Sequence, residues 1–267
     1  MTDTPSSLDR MLSKKSFYLN IPDLMLQALD ENYRWKMFKL IMLIRVLKER
    51  KSFFKNEKPM EVHTVIKDGI ILEMIQTVWG LAEDIAACCN AALKNGNTLI
   101  KDIVDYKTED IHKFFVVVDK LSDKDIKKIL NLPDESRIKF KNKEDIERFR
   151  TSTDIAKKSL SGLRDFYKKY HPLMVKYKHG SPLLIGRVDN NKNYNHVSEK
   201  DKDYCSSMIG AFTSGKDKKV IFIRTSIEEV CSTATQSFLL QEMIFKNRDP
   251  RHFNAKGGEI FVYLKSQ

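Results

Sequence analysis

The sequence predicts a mainly α protein, a helical bundle with a small C-terminal α+β appendage. Three observations lead there. The 267 residues include only 10 Gly and 7 Pro, too few for a turn-dense all-β chain. Apolar residues recur at three- and four-residue steps over long segments, which is the helical period. After Pro172 the pattern shortens and alternates, as strands around one further helix would. With 42% hydrophobic and 31% charged residues, intrinsic disorder and collagen-like composition are excluded.

Residues 1–22 are polar and read as a loose arm, 23–180 as the bundle and 181–267 as the appendage. Leu24 to Phe54 is helical in pattern, with a break expected near Asp30-Glu31-Asn32. Leu40, Leu43, Ile44 and Leu47 fall on one face. Met60 to Leu93 reads as a long helix ending near Asn95-Gly96. It is so apolar that its polar or small positions, Glu73, Gln76, Gly80, Glu83, Ala87 and Asn90, form only a narrow stripe. Amphipathicity reads that stripe as the helix's water-facing edge; a close helix contact or a buried polar site is the other reading.

Thr108 to Lys120 and Ser122 to Leu130 predict two shorter helices, the second started by Ser122 with Asp123 and Asp125. Ile138 to Asn142 reads as a brief extended segment. Next comes a long helix from Lys143 to His171, with Asn142 as N-cap and Pro172 as its stop. Ile146, Phe149, Thr153, Ala156, Leu160, Leu163, Tyr167 and Tyr170 form a seam for a neighbouring helix or a second subunit. Beyond it, Leu183 to Val188, Lys219 to Thr225 and Glu259 to Lys265 read as strands. Ile227 to Phe245 reads as a helix capped by Ser226.

No stretch is apolar for the roughly 18 residues of a membrane span, and Met1 to Ser16 lacks a signal-peptide core. Cysteines 88, 89, 205 and 231 form no C-x-x-C pair. The expectation is a cytoplasmic chain with reduced thiols and no membrane partner. The formal charge of +11 invites a polyanion, although lysines spread along a whole chain do not by themselves define a binding face.

Motif chemistry is mostly excluded. The histidines at 63, 112, 171, 179, 196 and 252 include no i, i+4 pair beside cysteines or carboxylates in a metal-ligand pattern, so no metal and no cofactor is expected. Ser214-Gly215-Lys216 lacks the first glycine of a phosphate loop, and no G-x-S-x-G elbow occurs. What remains is Arg164 and His171, seven residues apart and so on one helix face. An imidazole moves protons near neutral pH, and a guanidinium holds phosphorane charge. Around the pair, rings alternate with cations: Tyr167, Lys168, Lys169, Lys176, Tyr177, Lys178 and His179. That interleaving suits single-stranded nucleic acid, with bases stacked on rings and phosphates on lysines.

Arg164, a polar residue at Asp165 and His171 after six intervening positions are similar to the signature of HEPN-superfamily ribonucleases. The resemblance spans about residues 60–185. It implies a helical bundle, metal-independent RNA cleavage and a homodimer in which two motifs share a cleft, with Arg164 and His171 catalytic and Asp165 orienting Arg164. The function expected is therefore an endoribonuclease of defence or toxin type. The alternative is a non-catalytic helical module that binds nucleic acid or a protein. His179, before Gly180, is a second candidate imidazole.

Overall fold

A computed structural model describes residues 21–53, 59–94, 103, 105–178, 183–186, 207–212 and 220–248. The expected arm at 1–22 lies outside them except for its last two residues, which begin the first helix, and the last expected strand and His179 also lie outside. Among the described residues there are six α-helices: α1 (Ile21–Phe53), α2 (Pro59–Lys94), α3 (Thr108–Val117), α4 (Asp123–Leu130), α5 (Lys143–Lys178) and α6 (Ile227–Lys246). Short 3-10 turns follow α3 (Val118–Lys120) and precede α5 (Glu135–Arg137). Three strands, β1 (Leu183–Gly186), β2 (Ser207–Phe212) and β3 (Val220–Thr225), form one antiparallel sheet in that order. The mainly α architecture with a small C-terminal α+β portion is thus the observed one.

α2 is the hub. Its side chains from Ile70 to Ala92 are buried nearly all round, and α1, α3, α4, α5 and α6 all pack on it. A helix that is apolar on every side must be enclosed, because one solvated face would expose more surface than water tolerates. Cys88 and Cys89 are buried in it as small apolar groups. Burial raises the Cys88 thiol to about 12.

Local signals start and stop the other helices. Ser122 Oγ accepts from the Asp125 amide at 3.2 Å, and Asp125 Oδ2 accepts from the Ser122 amide at 2.9 Å, a reciprocal cap on α4. α4 ends at Asn131 in the left-handed region, φ 53°, which Asn tolerates better than most residues. Asn131 Nδ2 donates to the Asn247 carbonyl at 2.6 Å, and Asn247 Nδ2 donates to the Leu130 carbonyl at 2.9 Å. This exchange fastens the ends of α4 and α6 together. At α5 the Asn142 Oδ1 accepts from the Asp145 amide at 2.8 Å, as its N-cap assignment requires.

Four expectations need correction. α1 runs without a break through Asp30-Glu31-Asn32. Those residues are only weakly unfavourable in a helix, and Tyr33 just beyond them is buried, its hydroxyl donating to the Phe238 carbonyl at 2.9 Å. α5 runs through Pro172 to Lys178. Proline removes one helical hydrogen bond at a cost of about 3 kcal/mol, but Leu173 and Met174 are buried beyond it, each worth about 1.5–3 kcal/mol. Ile138 to Asn142 is coil, not strand. The α5 seam, by contrast, meets neighbouring helices as one of its two readings expected, packing within the chain against α2, α4 and α6. The stripe on α2 is also not a watery edge. Glu73 is bonded to Lys39 of α1, Glu83 to Lys178 of α5, and Ala87 is buried.

Candidate active site

Arg164 and His171 lie two turns apart on α5, and both face the α3 segment. Arg164 pairs with Asp119 in the turn that ends α3. The His171 ring lies 5.9 Å from that of His112 on α3, centroid to centroid. The step from His112 to Asp119 is seven residues, like that from Arg164 to His171, so the two segments meet rung to rung.

The guanidinium of Arg164 is fully engaged. Its Nε and Nη2 donate to Asp165 Oδ1 at 2.9 and 2.8 Å, its Nη2 also to Ser161 Oγ at 3.0 Å, and its Nη1 reaches Asp119. The Asp119 and Asp165 carboxylates push its pKa still higher, Asp119 most strongly. The same bond holds Asp119 below the usual carboxylate range. Asp165 therefore touches Arg164 in the manner an orienting residue needs. Asp119, which sequence reasoning missed, takes a donor that a phosphate would need.

His171 is half-buried among rings, with centroids 5.3 Å from Tyr167 and 6.1 Å from Trp79. Its Nδ1 is buried and has no hydrogen-bond partner among the described residues. Burial first, then His112 and Lys178, lower its pKa from the ordinary value near 6.5. The imidazole is therefore held toward its neutral form, the state able to accept a proton.

Lys178 closes the other side. Its Nζ lies 4.3 Å from the Trp79 ring centroid and donates to Glu83 at 3.0 and 3.3 Å. Glu83 is buried, and desolvation raises its pKa against the opposing pull of Lys178. No signal in the sequence links residues 83 and 178; only the fold brings them together.

The other expected contacts divide. Tyr167 is fully buried, stacked 5.1 Å from Trp79 at 7° and 4.7 Å from Phe115. It is a core ring and presents no face to a base. Burial moves its phenol up to about 12, and its hydroxyl has no partner among the described residues. Lys169 is bonded to Glu229 of α6 at 2.6 and 2.8 Å. Lys168 and Tyr177 are exposed, and Lys176 is half-buried. Among the described residues no group of three or more His, Cys, Asp or Glu could hold a metal ion, and no helix is long and apolar enough to cross a membrane. The chain matches no protein-family model, no curated protein and no solved structure.

Proposed function

We propose that the chain is a metal-independent endoribonuclease, of the HEPN-like type implied by its short motif, with RNA and a second copy of itself as partners in the cytoplasm. The observation that carries this reading is the pairing, on one face of α5, of an imidazole held neutral and a guanidinium held in place by Asp165. In the reaction, His171 accepts the proton of the RNA 2′-hydroxyl. The 2′-oxygen to phosphorus bond forms and the bond to the 5′-oxygen breaks. The same imidazolium returns its proton to that leaving oxygen, giving a 2′,3′-cyclic phosphate and a 5′-hydroxyl. Arg164 stabilises the phosphorane, which requires it to exchange the Asp119 carboxylate for a phosphate oxygen.

A second reading has its own observation. Two carboxylates and a hydroxyl already occupy Arg164, which is what a structural clamp between α5 and the end of α3 looks like. In that case the chain is a non-catalytic helical module, binding nucleic acid or protein through exposed residues such as Lys168 and Tyr177. Cleavage of end-labelled RNA in excess EDTA separates the two. The first reading expects chelator-resistant cleavage that is lost in both His171→Ala and Arg164→Ala. The second expects at most salt-dependent binding.

A further inference from the structure

The two rungs of the α3–α5 contact differ. Arg164 and Asp119 close one as an ion pair, whereas His112 and His171 meet at the other ring to ring, with centroids 5.9 Å apart. Packing fixes that register. Ile111, Phe114 and Phe115 are the buried face of α3, which leaves His112 exposed at its margin. Phe115 packs on Tyr167 at 4.7 Å, one turn before His171 on α5, so both imidazoles stand on helices locked by core rings. Their surroundings are unequal: His171 is half-buried with its Nδ1 enclosed, while His112 is open to solvent. The cations around them are already engaged, Arg164 by Asp119 and Asp165, Lys169 by Glu229 and Lys178 by Glu83. His112 lies outside the Arg164–His171 motif, so the resemblance assigns it nothing.

Cleavage moves two protons at two different oxygens. In an in-line displacement the entering 2′-oxygen and the departing 5′-oxygen stand on opposite sides of phosphorus. One ring cannot lie within about 2.6–3.2 Å of both at once. We infer that His112 is a second catalytic residue, the general acid that protonates the 5′-oxygen while His171 acts as the base. The inference rests on the ribonuclease reading and divides between two rings the transfers that reading gives to one. His171 takes the 2′-hydroxyl proton as the 2′-oxygen bonds to phosphorus. The bond from phosphorus to the 5′-oxygen breaks with its electron pair going to that oxygen, and the His112 imidazolium supplies the proton. His112 is left neutral and His171 protonated, and both reset by exchange with solvent. Burial favours the neutral, accepting form of His171, and exposure lets His112 take up the proton it donates.

The test compares the full chain as wild type, His112→Ala, His112→Phe and His171→Ala in excess EDTA, each checked for helicity by circular dichroism. Two substrates are used. One is an end-labelled RNA; the other is the same RNA with sulfur in place of the 5′-oxygen at the cleaved linkage, whose thiolate departs without a proton. His112→Ala should slow cleavage of the first at least about a hundredfold, the contribution of a general acid, and of the second by less than about threefold. His112→Phe, which keeps a ring beside His171, should show the same split, and His171→Ala should lose both. A His112→Ala variant that cuts both RNAs as the wild type does overturns the inference and leaves the ribonuclease reading standing. One that slows both equally makes His112 a positioning residue and also overturns it. A wild type that cuts neither RNA overturns the reading and this inference together.

Discussion

The imidazoles of His112 and His171 face each other across the α3–α5 contact, with centroids 5.9 Å apart, and His112 disfavours a proton on His171. His171 should titrate below its ordinary value near 6.5, and His112→Ala should move it upward, though not fully, because burial is the larger cause. Ring-proton NMR across pH 4–8 reads this directly. A folded pKa below the unfolded one means stability is complete above about pH 6.5 and declines as pH falls through the folded value. His171→Phe should flatten that acid-side slope. A His171 pKa at or above 6.5 would contradict the burial argument.

Arg164 holds α5 to the end of α3, so Arg164→Ala should lower the melting temperature by about 2–4 °C. Asp119→Asn frees a donor without removing the guanidinium. It should tighten RNA binding about two- to fivefold at low salt, and that gain should fade as salt rises. Filter binding at two ionic strengths checks it. An Asp119→Asn variant that binds more weakly would assign the carboxylate a supporting role instead.

The Glu83–Lys178 pair should be asymmetric. Glu83 has a raised pKa in the folded state. Its contribution is therefore complete below about pH 4.5 and lost as pH rises through the folded value, leaving a cost at neutral pH. Glu83→Gln should be neutral or stabilising by up to about 1 kcal/mol. Lys178→Met leaves the buried carboxylate unpaired and should cost about 1–3 kcal/mol. Urea denaturation at pH 7 measures both; equal losses would mean the pair is a net stabiliser.

Tyr167 offers a cleaner contrast. Its ring lies between Trp79 and Phe115, while its hydroxyl has no partner among the described residues. Tyr167→Phe keeps the packing and removes the unsatisfied group, so it should stabilise by about 1 kcal/mol. Tyr167→Ala should cost about 3–5 kcal/mol. If Tyr167→Phe destabilises, the hydroxyl serves a function that packing does not explain.

What the sequence made legible was whatever depends on neighbours in the chain. The Ser122 and Asn142 caps, the period of α5 and the extent of α2 all follow from residues within a few turns. The misreadings share one cause, since Pro172 and Asp30-Glu31-Asn32 carry local penalties that distant packing outweighs. The α2 stripe looked solvated because Lys39 and Lys178, the partners of Glu73 and Glu83, come from two other helices. At the site, the Arg164–Asp165 contact was readable because the two are adjacent. Asp119, His112 and the Glu83–Lys178 pair were not, because no spacing rule joins residues so far apart in the chain, 95 positions in the case of Glu83 and Lys178. Tyr167 misled for a related reason: a ring on a seam and a ring on a binding face have the same sequence spacing.

The measurement that tests the central claim most directly is cleavage of end-labelled RNA in excess EDTA by the wild type, His171→Ala and Arg164→Ala, each shown folded by circular dichroism. The account predicts cleavage that survives the chelator, ends in 2′,3′-cyclic phosphates and falls at least about a hundredfold in His171→Ala, the contribution of a general base. Its acid limb should fall below pH 6.5, as the lowered His171 pKa requires. A wild type that leaves RNA intact, or a His171→Ala variant that cuts as fast as the wild type, would contradict it.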